Sequence, residues 1–369
     1  MKLVYVFPTV AAKGGVERIL VDKMNLLSRE PDYEVYLLTY NQGDHPISYT
    51  LDERVRHMDL DVRTHVKYRY RGLRRLWEGW KRSHWLRQRL QQALIEICPN
   101  MLITVTFGEI ALLLQLKGTI PLVVESHGGY DHLIDYPRLT WRHRRDICQR
   151  YRLLHRVDAI VTLTKLDAER WQKHYPHVCM IPNLVHLNPT GRLSTCEQKR
   201  IIFVGRLAEQ KGIPELFTMW QIVHQRHPDW SLDVFGDGDD KSLHQIEGLH
   251  HHASVDNIFP HYIESSLLVV TSRWEPFGLI IPEAMSCGIP VVSFEGDGPC
   301  SIITDGVDGF IIKERSIEMF ADRVCQLIEN QELRKQMGKA AVLSAQRYSA
   351  EKIMPQWIKL FESLIDKNR

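Results

Sequence analysis

Short apolar runs alternate with longer amphipathic stretches along the whole chain, which is the pattern of βα units around a parallel sheet. Residues 3–7 read as a buried strand, followed by a glycine-containing turn and a helix over 16–27. Further strands fall at 34–40, 101–106, 122–125 and 159–163, and 180–182 closes the first half. Residues 187–199 are polar and broken by Pro189 and Gly191, the composition of an inter-domain linker. The alternation then restarts, with strands at 200–204, 231–235, 267–271 and 290–294 and a helix over 213–226. A helix opens at 282–286 and ends at Gly288, and amphipathic helices follow over 316–329, 332–348 and 351–366. Nothing repeats at a short fixed period, which argues against a solenoid. The pattern predicts an α/β protein of two similar doubly wound domains facing each other, with ligands at the carboxyl ends of the strands. The domains are expected at 1–186 and 187–350, with a last helix over 351–369 packing back on the first.

Composition narrows this further. A chain of 369 residues exceeds one hydrophobic core, and 44% hydrophobic with 25% charged residues excludes a disordered or fibrous protein. The longest apolar runs, such as 110–114 and 267–270, are far short of the ~20 residues that span a bilayer. Pro8 cuts the first apolar run too early for a leader, so a first strand explains it better. The seven cysteines are scattered without a C-x-x-C pair, which fits a reducing compartment.

The net charge of +2 hides two unlike halves. Over 1–190, Lys and Arg outnumber Asp and Glu by 28 to 20; over 191–369 the acids lead by 25 to 19. Between Arg63 and Leu94, ten cations face Glu78 alone, interleaved with Tyr68, Tyr70, Trp77, Trp80 and Trp85. Residues 138–156 hold seven arginines against Asp146. A basic, aromatic helix is what an anionic membrane surface attracts, although nucleic acid answers to the same charge and a solvated face is the plain alternative.

Three segments carry chemistry. Lys13-Gly14-Gly15-Val16-Glu17 follows the first strand and opens a helix, so backbone N–H groups there suit an anion; a tight βα turn is the plain reading. Gly205-Arg206-Leu207 with Lys211-Gly212 places two cations five residues apart after a strand, a spacing that suits a diphosphate or an ordinary exposed loop. The third segment decides: Glu275-Pro276-Phe277-Gly278-Leu279-Ile280-Ile281-Pro282-Glu283. It brackets a glycine-containing loop with two carboxylates and runs into a helix with Pro282 in its first turn. Surface loops seldom combine so many apolar residues with two spaced acids, and unpaired acids resist burial. Glu283 can face a hydroxyl pair such as a ribose, and Glu275 another polyol.

On these motifs, with Gly236-Asp237-Gly238, Gly288-Ile289-Pro290-Val291-Val292 and Asp305-Gly306-Val307-Asp308-Gly309-Phe310, the chain resembles family 4 retaining glycosyltransferases, above all bacterial lipopolysaccharide, capsule and O-antigen enzymes. The similarity runs over nearly the whole length and is strongest across 200–312. It implies the GT-B fold, two Rossmann-like doubly wound domains across a cleft. It also implies transfer of a hexose or N-acetylhexosamine from a nucleotide-sugar, a UDP-sugar, to a lipid-linked or polysaccharide acceptor. The resemblance gives Arg206 and Lys211 the diphosphate, Glu275 the donor sugar and Glu283 the ribose. Phe277 and the amides near Gly278 and Leu279 join the donor site, and Gly14-Gly15 approaches from the other domain. His127, in Glu125-Ser126-His127-Gly128-Gly129, stands beside the transferred sugar by the same resemblance; without it, a structural histidine is the simpler reading. His127, Glu275, Arg206 and Lys211 are thus the catalytic candidates.

Two D-x-D sequences, Asp59-Leu60-Asp61 and Asp237-Gly238-Asp239, could hold a divalent ion on a diphosphate. With Arg206 and Lys211 supplying charge, no metal is required. No cofactor is expected, the nucleotide-sugar being a substrate. His250, His251 and His252 read as an exposed turn without metal. The partners expected are the donor, the acceptor and an anionic membrane surface met through 63–94, not nucleic acid, and the location is the inner face of the cytoplasmic membrane. A sugar-nucleotide epimerase or hydrolase of the same fold, or a non-catalytic binding protein, are the alternatives.

Overall fold

The computed structural model describes residues 1–130, 148–149, 151–238 and 246–367. It separates into two compact units, Met1–Ile181 with Met354–Arg369, and Pro182–Ile353. Unit 1 holds a seven-stranded, wholly parallel sheet in the order β3-β2-β1-β4-β5-β6-β7. Its strands are β1 (Lys2–Phe7), β2 (Glu34–Thr39), β3 (Arg56–Asp59), β4 (Met101–Val105), β5 (Leu122–Glu125), β6 (Ala159–Thr162) and β7 (Val178–Met180). Its described helices are α1 (Gly15–Leu27), α2 (Gly72–Ile97), α3 (Ile110–Leu116) and α4 (Lys165–Gln172).

Unit 2 holds a six-stranded parallel sheet in the order β10-β9-β8-β11-β12-β13. The strands are β8 (Arg200–Val204), β9 (Ser231–Phe235), β10 (Leu249–His252), β11 (Leu267–Val270), β12 (Val291–Phe294) and β13 (Gly309–Ile312). Its helices are α5 (Ile213–Arg226), α6 (Phe259–Ile263), α7 (Ile280–Ser286), α8 (Asp297–Ile302), α9 (Ile317–Glu329) and α10 (Gln331–Ala345). The final helix α11 (Ala350–Asp366) starts in unit 2, and from Met354 it packs with unit 1.

Central strands such as Leu267–Val270 and Val291–Phe294 are unbroken apolar runs because helices cover both faces of a parallel sheet. In both sheets the strand order reverses once, between β1 and β4 and between β8 and β11. That reversal opens a crevice at the carboxyl ends, where doubly wound sheets bind ligands. The sequence reading missed β3, β10 and β13, and it placed the 282–286 helix two residues late: α7 begins at Ile280, with Pro282 third. Among the described residues no helix is long and apolar enough to cross a membrane. All seven cysteines are free thiols, and burial pushes Cys287 up to about 12.

Candidate active site

At the reversal in unit 2, the loops after β8 and β11 are tied together. Gly212 takes a left-handed conformation (φ 65°), and a Cβ there would lie 2.1 Å from the Thr271 carbonyl oxygen. The Thr271 hydroxyl donates to the Lys211 carbonyl at 2.9 Å, and the Arg273 N–H donates to Gln210 at 2.8 Å. These ties aim Lys211 Nζ at Glu275 Oε2, 2.5 Å away, and the Ser272 hydroxyl donates to the same oxygen at 3.2 Å. The resemblance implies different ligand groups for these two residues; the structure pairs them with each other. Arg206 next to them is exposed, and its guanidinium has no partner among the described residues. The arrangement leaves one exposed cation and one cation whose counterion lies in the neighbouring loop, a site able to receive a phosphate.

Gly278 (φ 89°) curls the loop over Glu275; a Cβ there would lie 2.9 Å from Glu275 Cγ. The N–H groups of Gly278 and Leu279 donate to no acceptor among the described residues. Phe277 is 3% exposed and meets Tyr348 edge-on, its centroid 5.3 Å away, so its ring anchors the loop and contributes backbone alone to any donor site. Gly298 makes that anchor possible, since a Cβ there would lie 2.1 Å from the Phe277 carbonyl. Glu283 is buried on α7 at 2% exposure, unlike the open Arg206.

One brace escaped the sequence reading. Arg315, with φ 49° after Glu314 at φ 58°, donates to the carbonyls of Ser272 (3.0 Å) and Thr271 (3.2 Å) and stacks on Phe294 at 4.4 Å. Burial lowers its pKa from the usual value, with Glu215 opposing. No local pattern announces it, because its partners lie more than forty residues away.

The glycine turn Gly236-Asp237-Gly238 serves packing. A Cβ at Gly236 would lie 2.0 Å from the Gly205 carbonyl, and Asp237 accepts from the Ser254 N–H and hydroxyl at 3.0 and 2.6 Å. Asp239 and Asp240 lie outside the described residues, as do 131–147 and Arg150 of the second arginine-rich stretch. Asp59 accepts from Thr39 and the Gly43 N–H, and Asp61 pairs with Arg63 at 2.6 Å. His250–252 form the edge strand β10 and not a turn: His251 meets the Gly236 carbonyl, and His252 stacks on Phe235 and pairs with Asp233. Among the described residues, no three His, Cys, Asp or Glu side chains are placed to hold a metal ion.

In unit 1, Gly14 caps α1 in extended conformation, and a Cβ there would lie 2.2 Å from Glu17 Oε2. Gly15 is the first helical residue and is exposed. At the end of β5, Glu125 is buried with His127 Nε2 3.2 Å from its Oε2 and Lys23 Nζ on its Oε1. Burial pushes the Glu125 carboxyl up, but Lys23 and His127 outweigh it and hold it below its usual value.

Residues 13–188 match Glycosyltransferase Family 4, and 192–344 match Glycosyl transferases group 1. The amylovoran biosynthesis glycosyltransferase AmsD of Erwinia amylovora is 26% identical over 376 residues, covering 96% of this chain and 98% of the relative. In fold the chain is similar to sucrose-phosphate synthase of Thermosynechococcus elongatus (TM-score 0.80, 15% identity, 99% of both chains). It is also similar to HepE of Anabaena (TM-score 0.73, 18% identity, 98% of this chain and 100% of that one), solved in complex with UDP. The chain is therefore a glycosyltransferase with the GT-B fold, built of a family 4 domain over 13–188 and a group 1 domain over 192–344, and it resembles the enzymes of bacterial polysaccharide synthesis.

Proposed function

We propose that this glycosyltransferase moves a hexose or N-acetylhexosamine from a UDP-sugar to a lipid-linked or glycan acceptor, with retention and without a metal. The observation that carries the reading is the Lys211–Glu275 pair beside the exposed Arg206, whose guanidinium has no partner among the described residues, at the strand-order reversal of unit 2. An incoming diphosphate draws Lys211 from Glu275, and the freed carboxylate accepts hydrogen bonds from sugar hydroxyls. Arg206 and Lys211 then meet charge that grows on the leaving phosphate, while the N–H groups of Gly278 and Leu279 add donors. The acceptor attacks from the face that the nucleotide leaves, and the departing phosphate takes its proton. No carboxylate acts as a nucleophile. HepE, solved with UDP, shares the fold, which supports a uridine donor here. Incubation with a panel of nucleotide-sugars, with and without lipid-linked acceptor, tests the reading. Acceptor-dependent release of nucleotide supports transfer, whereas equal release without acceptor supports the hydrolase.

The membrane partner belongs to the same proposal. At the start of α2, Leu73 and Leu76 are 84% and 70% exposed, and Trp77 and Trp80 lie exposed on the same helical face. Trp85 packs against the core of unit 1 instead. Glu78, the one acid between Arg63 and Leu94, is buried and paired with Arg82 at 3.4 Å. The exposed face therefore carries apolar side chains and cations without an acid, the surface that anionic lipid attracts. Vesicle co-sedimentation checks it: binding to anionic lipid that falls with salt is expected, and equal binding to neutral lipid sinks it.

A further inference from the structure

Glu125 ends β5 with its side chain 2% exposed, and its two oxygens serve different partners. Oε1 accepts from Lys23 Nζ on α1, and Oε2 faces His127 Nε2 at 3.2 Å. Lys23 is itself 1% exposed, with Nζ 3.7 Å from the centre of the Trp357 ring on α11 and 5.4 Å from that of Tyr5 on β1. Taking both ions out of water is costly, and apolar side chains of equal volume often replace such a pair without loss. Packing alone does not explain it. What apolar side chains cannot supply is a buried carboxylate that needs a donor from His127.

An ionised carboxylate only accepts hydrogen bonds, so the proton shared with His127 belongs to the histidine. In a neutral imidazole, a hydrogen on Nε2 leaves Nδ1 as the acceptor. The His127 side chain makes no second hydrogen bond among the described residues. Its neighbours Gly128 and Gly129 add no side chain beside it, and Gly129 turns the loop in a left-handed conformation (φ 77°).

We infer that the Lys23–Glu125 pair is a positioning device that holds His127 as the Nε2–H tautomer and presents its Nδ1 lone pair to a hydroxyl of a sugar substrate. The hydroxyl keeps its proton and donates it in a hydrogen bond, so His127 orients the sugar and does not act as a base. This rests on the reading of His127 as a residue of the substrate site. Lys23 has a second task there: paired on Oε1, it offsets the buried charge of Glu125 and leaves Oε2 to His127.

Nitrogen-15 spectra of the histidine rings test it on the whole protein, with the His127 signals identified by their loss in His127→Asn. The expected wild-type result at neutral pH is a protonated Nε2 and an unprotonated Nδ1. A ring protonated on Nδ1 overturns the inference without any variant. In Glu125→Gln, Lys23 takes the amide oxygen and leaves the amide NH₂ facing His127, so the tautomer should invert; an unchanged tautomer overturns the role of Glu125. UDP-glucose, UDP-galactose and UDP-N-acetylglucosamine are then added in turn to the wild type. Movement of the Nδ1 resonance with one of them supports a sugar hydroxyl as its partner. If none of them moves it while the panel above shows turnover with one of the three, the substrate half falls and the tautomer half stands on its own spectrum. A protein without transfer activity would leave the tautomer result readable, which separates the two failures.

Discussion

Each unit places a lysine–glutamate pair at the carboxyl end of its sheet, and the two pairs differ in their access to water. In unit 1, Lys23 and Glu125 are 1% and 2% exposed; in unit 2, Lys211 and Glu275 are 18% and 11% exposed. A fully dry pair cannot be parted cheaply, because each ion left behind lacks both partner and solvent. A pair at the edge of solvent exchanges its partner for another charge of the same sign at small cost. The first is therefore built to stay and orient a third residue. The second is built to open for a ligand.

The strongest way to break this comparison is to remove one ion from each pair and read stability. Lys23→Ala or Glu125→Ala should cost about 3–5 kcal/mol, read as a lower denaturant midpoint, because a charge is left buried and alone. Lys211→Ala and Glu275→Ala should cost roughly 1 kcal/mol or less after allowance for solvent screening. Equal losses at the two sites would erase the distinction.

Turnover should show the reverse order of sensitivity for unit 2. Arg206→Ala and Lys211→Ala should each lower kcat/KM by roughly 10- to 150-fold, the kinetic equivalent of about 1.5–3 kcal/mol for one charged hydrogen bond. Thermal melts close to wild type should accompany the loss. Normal turnover in the double variant would remove the phosphate role.

Acid sharpens the contrast further. Glu125 sits below the ordinary glutamate value of 4.5 in the folded chain, so its contribution is complete above that pH and is lost as the pH falls through the lowered value. The stability gap between wild type and Glu125→Gln should therefore narrow as the pH falls below 4.5. Denaturant titrations at a series of pH values would show it.

The smallest effect expected is none. Turnover should survive EDTA, because Arg206 and Lys211 supply the positive charge and Asp59, Asp61 and Asp237 already hold protein partners. Loss with EDTA and recovery with Mg²⁺ or Mn²⁺ would make a metal part of the site.

The sequence disclosed the elements whose chemistry is local. Strands such as Leu267–Val270 announce themselves by unbroken apolar runs, and the Gly278 loop by its two acids and its glycine. The edge strands β3 and β10 do not: they read Arg-His-Met-Asp and Leu-His-His-His, with no alternation to mark them, and β13 is hidden because its Gly-Phe-Ile-Ile runs straight on from a glycine-containing turn. Contacts between distant segments are equally silent. Lys23 and Glu125 lie 102 residues apart, and nothing near either predicts the other. Arg315 bracing the Thr271 and Ser272 carbonyls is hidden for the same reason. Burial of Glu78 and Phe277 likewise follows from neighbours that only the fold supplies.

The polar edge strands that were hard to read have a consequence for the life of the protein at high concentration. An open sheet edge is a template on which any extended chain can add a strand, the first step toward fibres. β3 and β10 close one end of each sheet with imidazoles, a guanidinium and a carboxylate, side chains that a stacking neighbour would have to strip of water. Resistance to self-templating thus occupies the same few positions that cost the sequence its legibility.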